Sequence, residues 1–300
     1  MLPGLFDTHC HLTAPELLAR REQVLSAAAA VGVSHVLTVA CVPAEFDAAI
    51  NLAASAQGQQ RDDSSAESAS GGPRPVLYVA TGIHPHEAAR VQESDWEALK
   101  ATWRQPHVVA AGEMGLDYHY DFSPRDVQRA VFERQLDLAA AADLPLIIHC
   151  RNSGERASTP PSGTGVNQTA GAGAPNAQED AIEILIRHGF EHKPVVFHCF
   201  TGTPEEAAEL RSHGWWTSFT GLITFKNAGP QRQACLETSP DQLMFETDAP
   251  YLSPEPVRRM RPNEPRNLVH TVRFAAQLRG EAFEDLAARS TANARRFFRL

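Results

Sequence analysis

Short apolar runs recur along the chain at 5–7, 35–40, 76–82, 108–113, 145–150, 195–199, 215–220 and 243–246. Between them lie stretches whose apolar residues return with helical spacing, at 15–31, 44–56, 94–103, 124–142, 179–188 and 204–213, and more weakly near 231–236; from 264 onward the helical pattern dominates. Ser123-Pro124 and Thr203-Pro204 set a capping hydroxyl before a proline that tolerates a first helical turn, which marks two helix starts. Brief apolar runs each followed by a helical connection predict parallel strands, and eight such units predict an α/β fold closed as a TIM-type (β/α)8 barrel. An open doubly wound sheet is the rival, but no GxGxxG follows the first run.

Two segments break the rhythm. Residues 58–75 (GQQRDDSSAESASGGPRP) and 152–178 (NSGERASTPPSGTGVNQTAGAGAPNAQ) are rich in Ser, Gly, Pro and Ala, with little to bury. They read as flexible low-complexity insertions, because the same strand–helix rhythm resumes after each. One barrel domain is therefore expected over 1–300.

Composition narrows the class. Hydrophobic residues make up 43% of the 300 positions, enough for one large core. No run of eighteen apolar residues appears, and no basic segment leads into a long apolar one near the start, so a cytoplasmic protein is expected. Five scattered cysteines without CxxC spacing argue against a disulfide framework and for a reducing compartment. The net charge of −9, with only three lysines, excludes sheathing of long nucleic acid by counterion release. A polyanionic substrate would have to be attracted locally, by metal ions and a few arginines such as the cluster Arg258, Arg259, Arg261 and Arg266.

Barrel enzymes carry their chemistry at the C-terminal ends of the strands. Those ends read Asp7-Thr-His9-Cys-His11, Gly82-Ile-His84-Pro-His86, Gly112-Glu113 running on to Asp117, His149-Cys-Arg151, His198-Cys-Phe and Glu246-Thr-Asp248. Six of eight predicted ends carry a ligand-type residue, although only 13 of 300 residues are histidine. Burying several imidazoles and carboxylates at one rim is costly unless they bind something, and a pair of divalent cations removes that cost. His9 and His11 would hold a first ion with Asp248, the neighbour on barrel closure. His149 and His198 would hold a second, with Glu113 between the two. Coordination would make a water nucleophilic near neutral pH.

The stretches DTHCHL, GIHPHEA, GEMGLDY, PLIIHCR, FHCFTG, ETDAPYLSP and RPNEP, in that order, resemble the TatD family of metal-dependent deoxyribonucleases within the amidohydrolase-like barrels. The resemblance implies that His9, His11, Glu113, His149, His198 and Asp248 are metal ligands. It also implies a 3′-to-5′ exodeoxyribonuclease acting on single-stranded DNA, with a part in DNA repair. Related barrels that bridge their metals with a carbamylated lysine are disfavoured, because Glu113 takes that place and no lysine lies on that strand. The mixed ligand set suits Zn²⁺ or Mn²⁺, whereas relatives imply Mg²⁺.

Asp248 is expected to orient the attacking water and accept its proton. His84 is expected to hydrogen-bond the phosphate or protonate the leaving oxygen, with fixing of the turn at Pro85 as the plainer role. Arg151 would contact phosphate or form a surface ion pair. Asp117 and Glu246 are expected to support metal-bound histidines, and Asn263-Glu264-Pro265 to brace the loop after the last strand. The same centre could serve a metal-dependent deacylase, for example on D-aminoacyl-tRNA. A binding protein that has lost its chemistry fits less well, because all six ligand positions are kept.

Overall fold

Strands form where the apolar runs predict them, but they do not all stop where the runs do. In this computed structural model, which describes residues 4–62, 74–152 and 176–300, they are β1 (Leu5–Cys10), β2 (Val33–Ala40), β3 (Val76–Thr81), β4 (Val108–Asp117), β5 (Leu146–Arg151), β6 (Val195–Phe197), β7 (Trp216–Phe219) and β8 (Leu243–Phe245). They form one sheet in sequence order, and every neighbouring pair is parallel. The curled sheet is closed between β8 and β1 by short links. Cys10 bridges Ala249, the His11 N–H donates to Ala249 O at 2.7 Å, and the Asp248 N–H donates to His9 O at 2.9 Å. Asp7 completes the seam, accepting from the Thr247 N–H (2.8 Å) and hydroxyl (2.6 Å). This is the TIM-type barrel expected from the pattern.

The connecting helices are α1 (Pro15–Leu18), α2 (Arg21–Ala30), α3 (Phe46–Asp62), α4 (Glu93–Thr102), α5 (Arg125–Ala142), α6 (Ala177–Arg187), α7 (Pro204–Ser212), α8 (Gly229–Glu237), α9 (Leu268–Arg279) and α10 (Phe283–Phe297). The single helix expected over 15–31 is broken, because Arg20 leaves helical geometry (φ −124°) and its guanidinium reaches Glu264 at 2.9 Å. Thr203 caps α7 with a reciprocal Glu206 bond, as its sequence predicts. Ser123 does not cap α5. Pro124 holds that position, and the Ser123 hydroxyl instead donates to His86 O (3.0 Å) and accepts from the Ala89 N–H (3.0 Å), pinning the loop after β3.

The expected insertion from 58 starts later than its composition implies, since α3 runs through Asp62; the rest of it up to 73 lies outside the described residues. Residues 153–175 of the second insertion do likewise. Its two ends are ordered: Asn152 Oδ1 accepts from the Ala177 N–H at 2.8 Å, and Asn176 caps α6. Among the described residues no helix is long and apolar enough to cross a membrane.

Side chains alternate across the strands, so the barrel has two apolar layers. Phe6, Leu37, Val39, Ala80, Ala110, Ile147, Val196 and Met244 fill the interior, with Trp216 of β7 packed against them. Phe297 and Phe298, at the end of α10, join the same cluster and plug the barrel floor. The outer layer packs the other strand faces against the helices, with Trp215, Phe132, Leu136 and Leu185 fully buried. Each such aliphatic or aromatic side chain contributes roughly 1.5–3 kcal/mol through removal from water. With the floor apolar and plugged, the polar side chains gather at the opposite rim.

Candidate metal centre

The rim brings together all six residues expected to bind metal. His9 lies on β1, Glu113 on β4 and His149 on β5, while His11 and His198 directly follow β1 and β6, and Asp248 stands three residues beyond the end of β8. Glu113 sits at the middle, 3% exposed. Its Oε1 lies 2.8 Å from His149 Nδ1 and 2.7 Å from His198 Nε2, and its Oε2 lies 3.4 Å from His9 Nε2. His11 Nε2 is 3.3 Å from His9 Nε2 and 3.4 Å from Asp248 Oδ1.

Two strand irregularities aim these groups. The β1–β2 ladder loses register between Asp7 and Cys10, so the strict alternation that motivates the HxH reading does not persist there, yet the two Nε2 atoms still converge. The β4–β5 ladder slips between Gly112 and Met114, leaving Glu113 as the extra residue of a bulge, a device that re-aims a side chain. Glycine flanks the bulge of necessity. Gly112 and Gly115 have φ of 139° and 140°, and a Cβ there would lie 2.5 Å from Ile147 O and 2.0 Å from His149 O. That explains the spacing in GEMG.

Each ligand-type histidine except His9 is oriented by its other nitrogen. His11 Nδ1–H donates to Val39 O (3.1 Å), His149 Nε2–H to Asp117 Oδ2 (3.1 Å), and His198 Nδ1–H to Glu246 Oε1 (3.2 Å). Asp117 and Glu246 thus take the supporting positions expected of them, the carboxylate–histidine pairing that fixes metal-bound rings. Asp117 also accepts from His86 Nε2 (2.8 Å) and from the backbone N–H groups of His119 and Tyr120. The His9 Nδ1 is buried without a partner, and the His9 ring stacks on His198 with centroids 4.0 Å apart.

His84 is built differently. Its Nδ1 accepts from the His86 N–H at 3.1 Å, so the proton resides on Nε2, which points at Glu113 Oε1 at 3.4 Å. His84 therefore fixes the turn at Pro85 and also presents a hydrogen-bond donor to the centre. Arg151 makes no ion pair among the described residues; its guanidinium lies over the Tyr120 ring, 4.9 Å from the centroid. Of the basic cluster, Arg258 lies over Phe225 (3.1 Å) and Arg266 pairs with Glu264 (2.9 Å). Asn263 and Glu264 brace the loop after β8 as expected, the Asn263 amide donating to Thr247 O (3.0 Å) and Tyr251 O (2.6 Å).

Electrostatics mark the same groups. Burial alone would raise Glu113, but the charge on His198 and the bonds from His149 and His198 hold it well below the carboxylate range. Burial opposes protonation of His149, yet Asp117 and Glu113 push it up to about 9; His198 is likewise raised against burial by Glu113 and Glu246. Burial lowers His9, with the neighbouring His198 charge adding to it, and burial lowers His84 to about 4.

Both nitrogens of His149 and of His198 thus face carboxylates, and each ring carries a proton where a cation would bring the same charge. The donor set fits divalent metals. Glu113, His149 and His198 hold donor atoms within 4.8 Å of one another, as do His9, His11 and Glu113, and His9, His198 and Asp248. A fourth grouping, His84, His86 and His149, meets the same distance, but His84 Nδ1 is already engaged by backbone.

The strand-end reading missed Cys41. It directly follows β2, and its thiol donates to Glu113 Oε2 at 3.2 Å. The position after a strand was the available signal. None of the five cysteines is in a disulfide.

Comparison with known proteins places the chain among relatives. A family model described as TatD related DNase matches residues 6–299. The chain is 35% identical over 296 residues to an uncharacterized metal-dependent hydrolase, YabD, of Bacillus subtilis, covering 99% of each. It is 32% identical over 301 residues to the 3′-5′ ssDNA/RNA exonuclease TatD of Escherichia coli K12, covering 98% of each. Among solved structures it superposes on YJJV, a TatD homolog from Escherichia coli, with a TM-score of 0.80, 25% identity and full coverage of both chains.

Proposed function

The chain belongs to the TatD-related DNase family, and from that premise we propose that it is a two-metal 3′-to-5′ exonuclease that shortens single-stranded DNA. The observation that carries the reading is the convergence of nitrogens from three of the predicted ligands, His9, His149 and His198, on the two oxygens of one buried carboxylate, Glu113. His9, His11 and Asp248 would hold one ion and His149 and His198 the other, with Glu113 available to both. Divalent cations held there supply Lewis-acid polarisation of a phosphodiester and a more acidic water nucleophile.

The chain's own residues do the rest. Asp248, kept ionised against burial by its bond with His11, orients the attacking water and takes its proton. His84, neutral with its proton on Nε2, serves better as a hydrogen-bond donor to a phosphate oxygen than as an acid for the leaving group. Arg151, half-buried at the rim on Tyr120, contacts a neighbouring phosphate. An acidic surface with one compact cationic locus favours end trimming over binding along duplex.

The test gives metal-stripped protein, wild type beside Glu113→Ala, end-labelled single-stranded DNA with Mg²⁺, Mn²⁺ or Zn²⁺. Stepwise shortening from the 3′ end, restored by metal and absent in the variant, is expected. No cleavage with any metal, alongside metal-dependent hydrolysis of D-aminoacyl-tRNA, would replace the nuclease by the deacylase.

A further inference from the structure

Among the described residues four large hydrophobic side chains are exposed. Ile186 and Leu236 belong to the outer helices α6 and α8, whereas Phe122 (66% exposed) and Tyr251 (55%) stand at the rim of the metal centre. Phe122 is not a stray side chain. Its ring lies parallel to that of Tyr120 within 2°, with centroids 5.2 Å apart, and both rings meet the His86 ring nearly at right angles, at 4.8 and 5.6 Å. The arrangement is built from below. Asp121, between the two aromatics, adopts φ 49°, a conformation aspartate tolerates better than most residues, and Arg125 clasps its carboxylate at 2.9 and 3.1 Å. Asp117 anchors both ends, accepting from the Tyr120 N–H and from His86 Nε2, and the same carboxylate orients His149. The Arg151 guanidinium stands over Tyr120.

We propose that the exposed Phe122 ring, backed by the Tyr120 ring stacked on it, is a preformed stacking platform for a nucleobase of the single strand at the end being cut, with Arg151, over Tyr120, for the adjoining phosphate. The inference rests on the nuclease reading and deepens it by naming a base-binding subsite. Three features select a base over an apolar protein partner. The exposed group is an aromatic ring braced in a parallel stack, a guanidinium lies over the second ring of that stack, and the His86 ring that both rings meet has its centroid 6.1 Å from that of the ligand-type His149. Stacking on aromatic rings tolerates any base, because every base has a π-face.

The test uses the full chain in two measurements. The chelator-treated protein is mixed with an oligonucleotide carrying 2-aminopurine at its 3′ end, whose fluorescence falls on stacking. Wild type and Phe122→Tyr are expected to quench it, Phe122→Ala and Phe122→Leu to lose the quenching. Leucine separates stacking from mere volume against His86. With metal restored, Ala and Leu are expected to raise KM about 5- to 150-fold, the range for one lost base stack, with kcat nearly unchanged. On a substrate abasic at that nucleotide, all variants should match wild type. Leucine behaving as wild type, or an equal loss on the abasic substrate, would overturn the platform. A wild-type protein that shortens no oligonucleotide refutes the nuclease reading instead. In that case Phe122-dependent quenching would still sustain a nucleic-acid contact, and its absence would overturn both.

Discussion

Asp117→Asn tests the claim that a carboxylate beyond the metal sphere sets the metal affinity. Asp117 is fully buried and receives four hydrogen bonds: His149 Nε2 at 3.1 Å, His86 Nε2 at 2.8 Å, and the His119 and Tyr120 N–H groups at 2.9 Å each. Burial opposes its charge, but the bonds from His149 and His86 hold it well below the usual carboxylate range. Asparagine has the same shape and only one acceptor oxygen. With that oxygen on the two backbone N–H groups, the new NH₂ faces His149 Nε2, which must then offer a lone pair. The ring proton is driven to Nδ1, the atom that faces Glu113, and a protonated nitrogen cannot bind a metal. Removing supporting partners of this kind lowers metal affinity about 10- to 100-fold, or roughly 1.4–2.7 kcal/mol. Titration of metal-stripped protein, by calorimetry and by activity against metal concentration, should move the midpoint upward by that factor and leave most of the rate recoverable at saturation. A folded Asp117→Asn protein with an unchanged midpoint would refute the argument.

Three further predictions concern the scaffold. Trp215→Ala, which empties a fully buried site and removes the Nε1–H bond to Phe190 O (3.0 Å), should cost about 3–5 kcal/mol by denaturant titration, because the core only partly collapses into such a cavity. Thr203→Ala removes the hydroxyl that accepts from the Glu206 N–H at the start of α7, while the Thr203 N–H can still donate to the Glu206 carboxylate, and should cost about 1 kcal/mol; a Thr203→Ser control should recover most of it. Burial, aided by the charge of Arg295, lowers the pKa of His35 below its usual 6.5. The unfolded chain therefore takes up a proton that the folded chain resists, so this contribution to stability is intact above pH 6.5 and lost as pH falls below it. His35→Gln should flatten that acid-side slope in urea unfolding followed over about pH 5 to 7.5; an unaltered slope would show that His35 is not its source.

Much of this was legible in the chain itself. Alternation of apolar runs with helical spacing determined eight parallel strands, and the rule that barrel chemistry sits at strand ends picked out His9, His11, Glu113, His149, His198 and Asp248, all of which converge in the structure. Local signals succeeded where the responsible interaction is local, as in the Thr203–Glu206 cap three residues apart. They failed where it is not. Ser123 looks like a cap but spends its hydroxyl on the loop after β3, and the expected helix over 15–31 breaks because Arg20 answers a carboxylate 244 positions away.

Residue types and their order along the chain thus determined the barrel and the chemical character of its rim, since strand periodicity and ligand type are properties of short segments. Only tertiary structure decided which nitrogen of each imidazole faces the centre, that the Cys41 thiol meets Glu113, that Asp7 locks β1 to Thr247, 240 positions on, and that Tyr120 and Phe122 stack on one another at the rim. These depend on orientation. Orientation is set by bulges, by glycines at positive φ and by hydrogen bonds between strands that meet only when the barrel closes, and the spacing of residues along a chain carries none of that information.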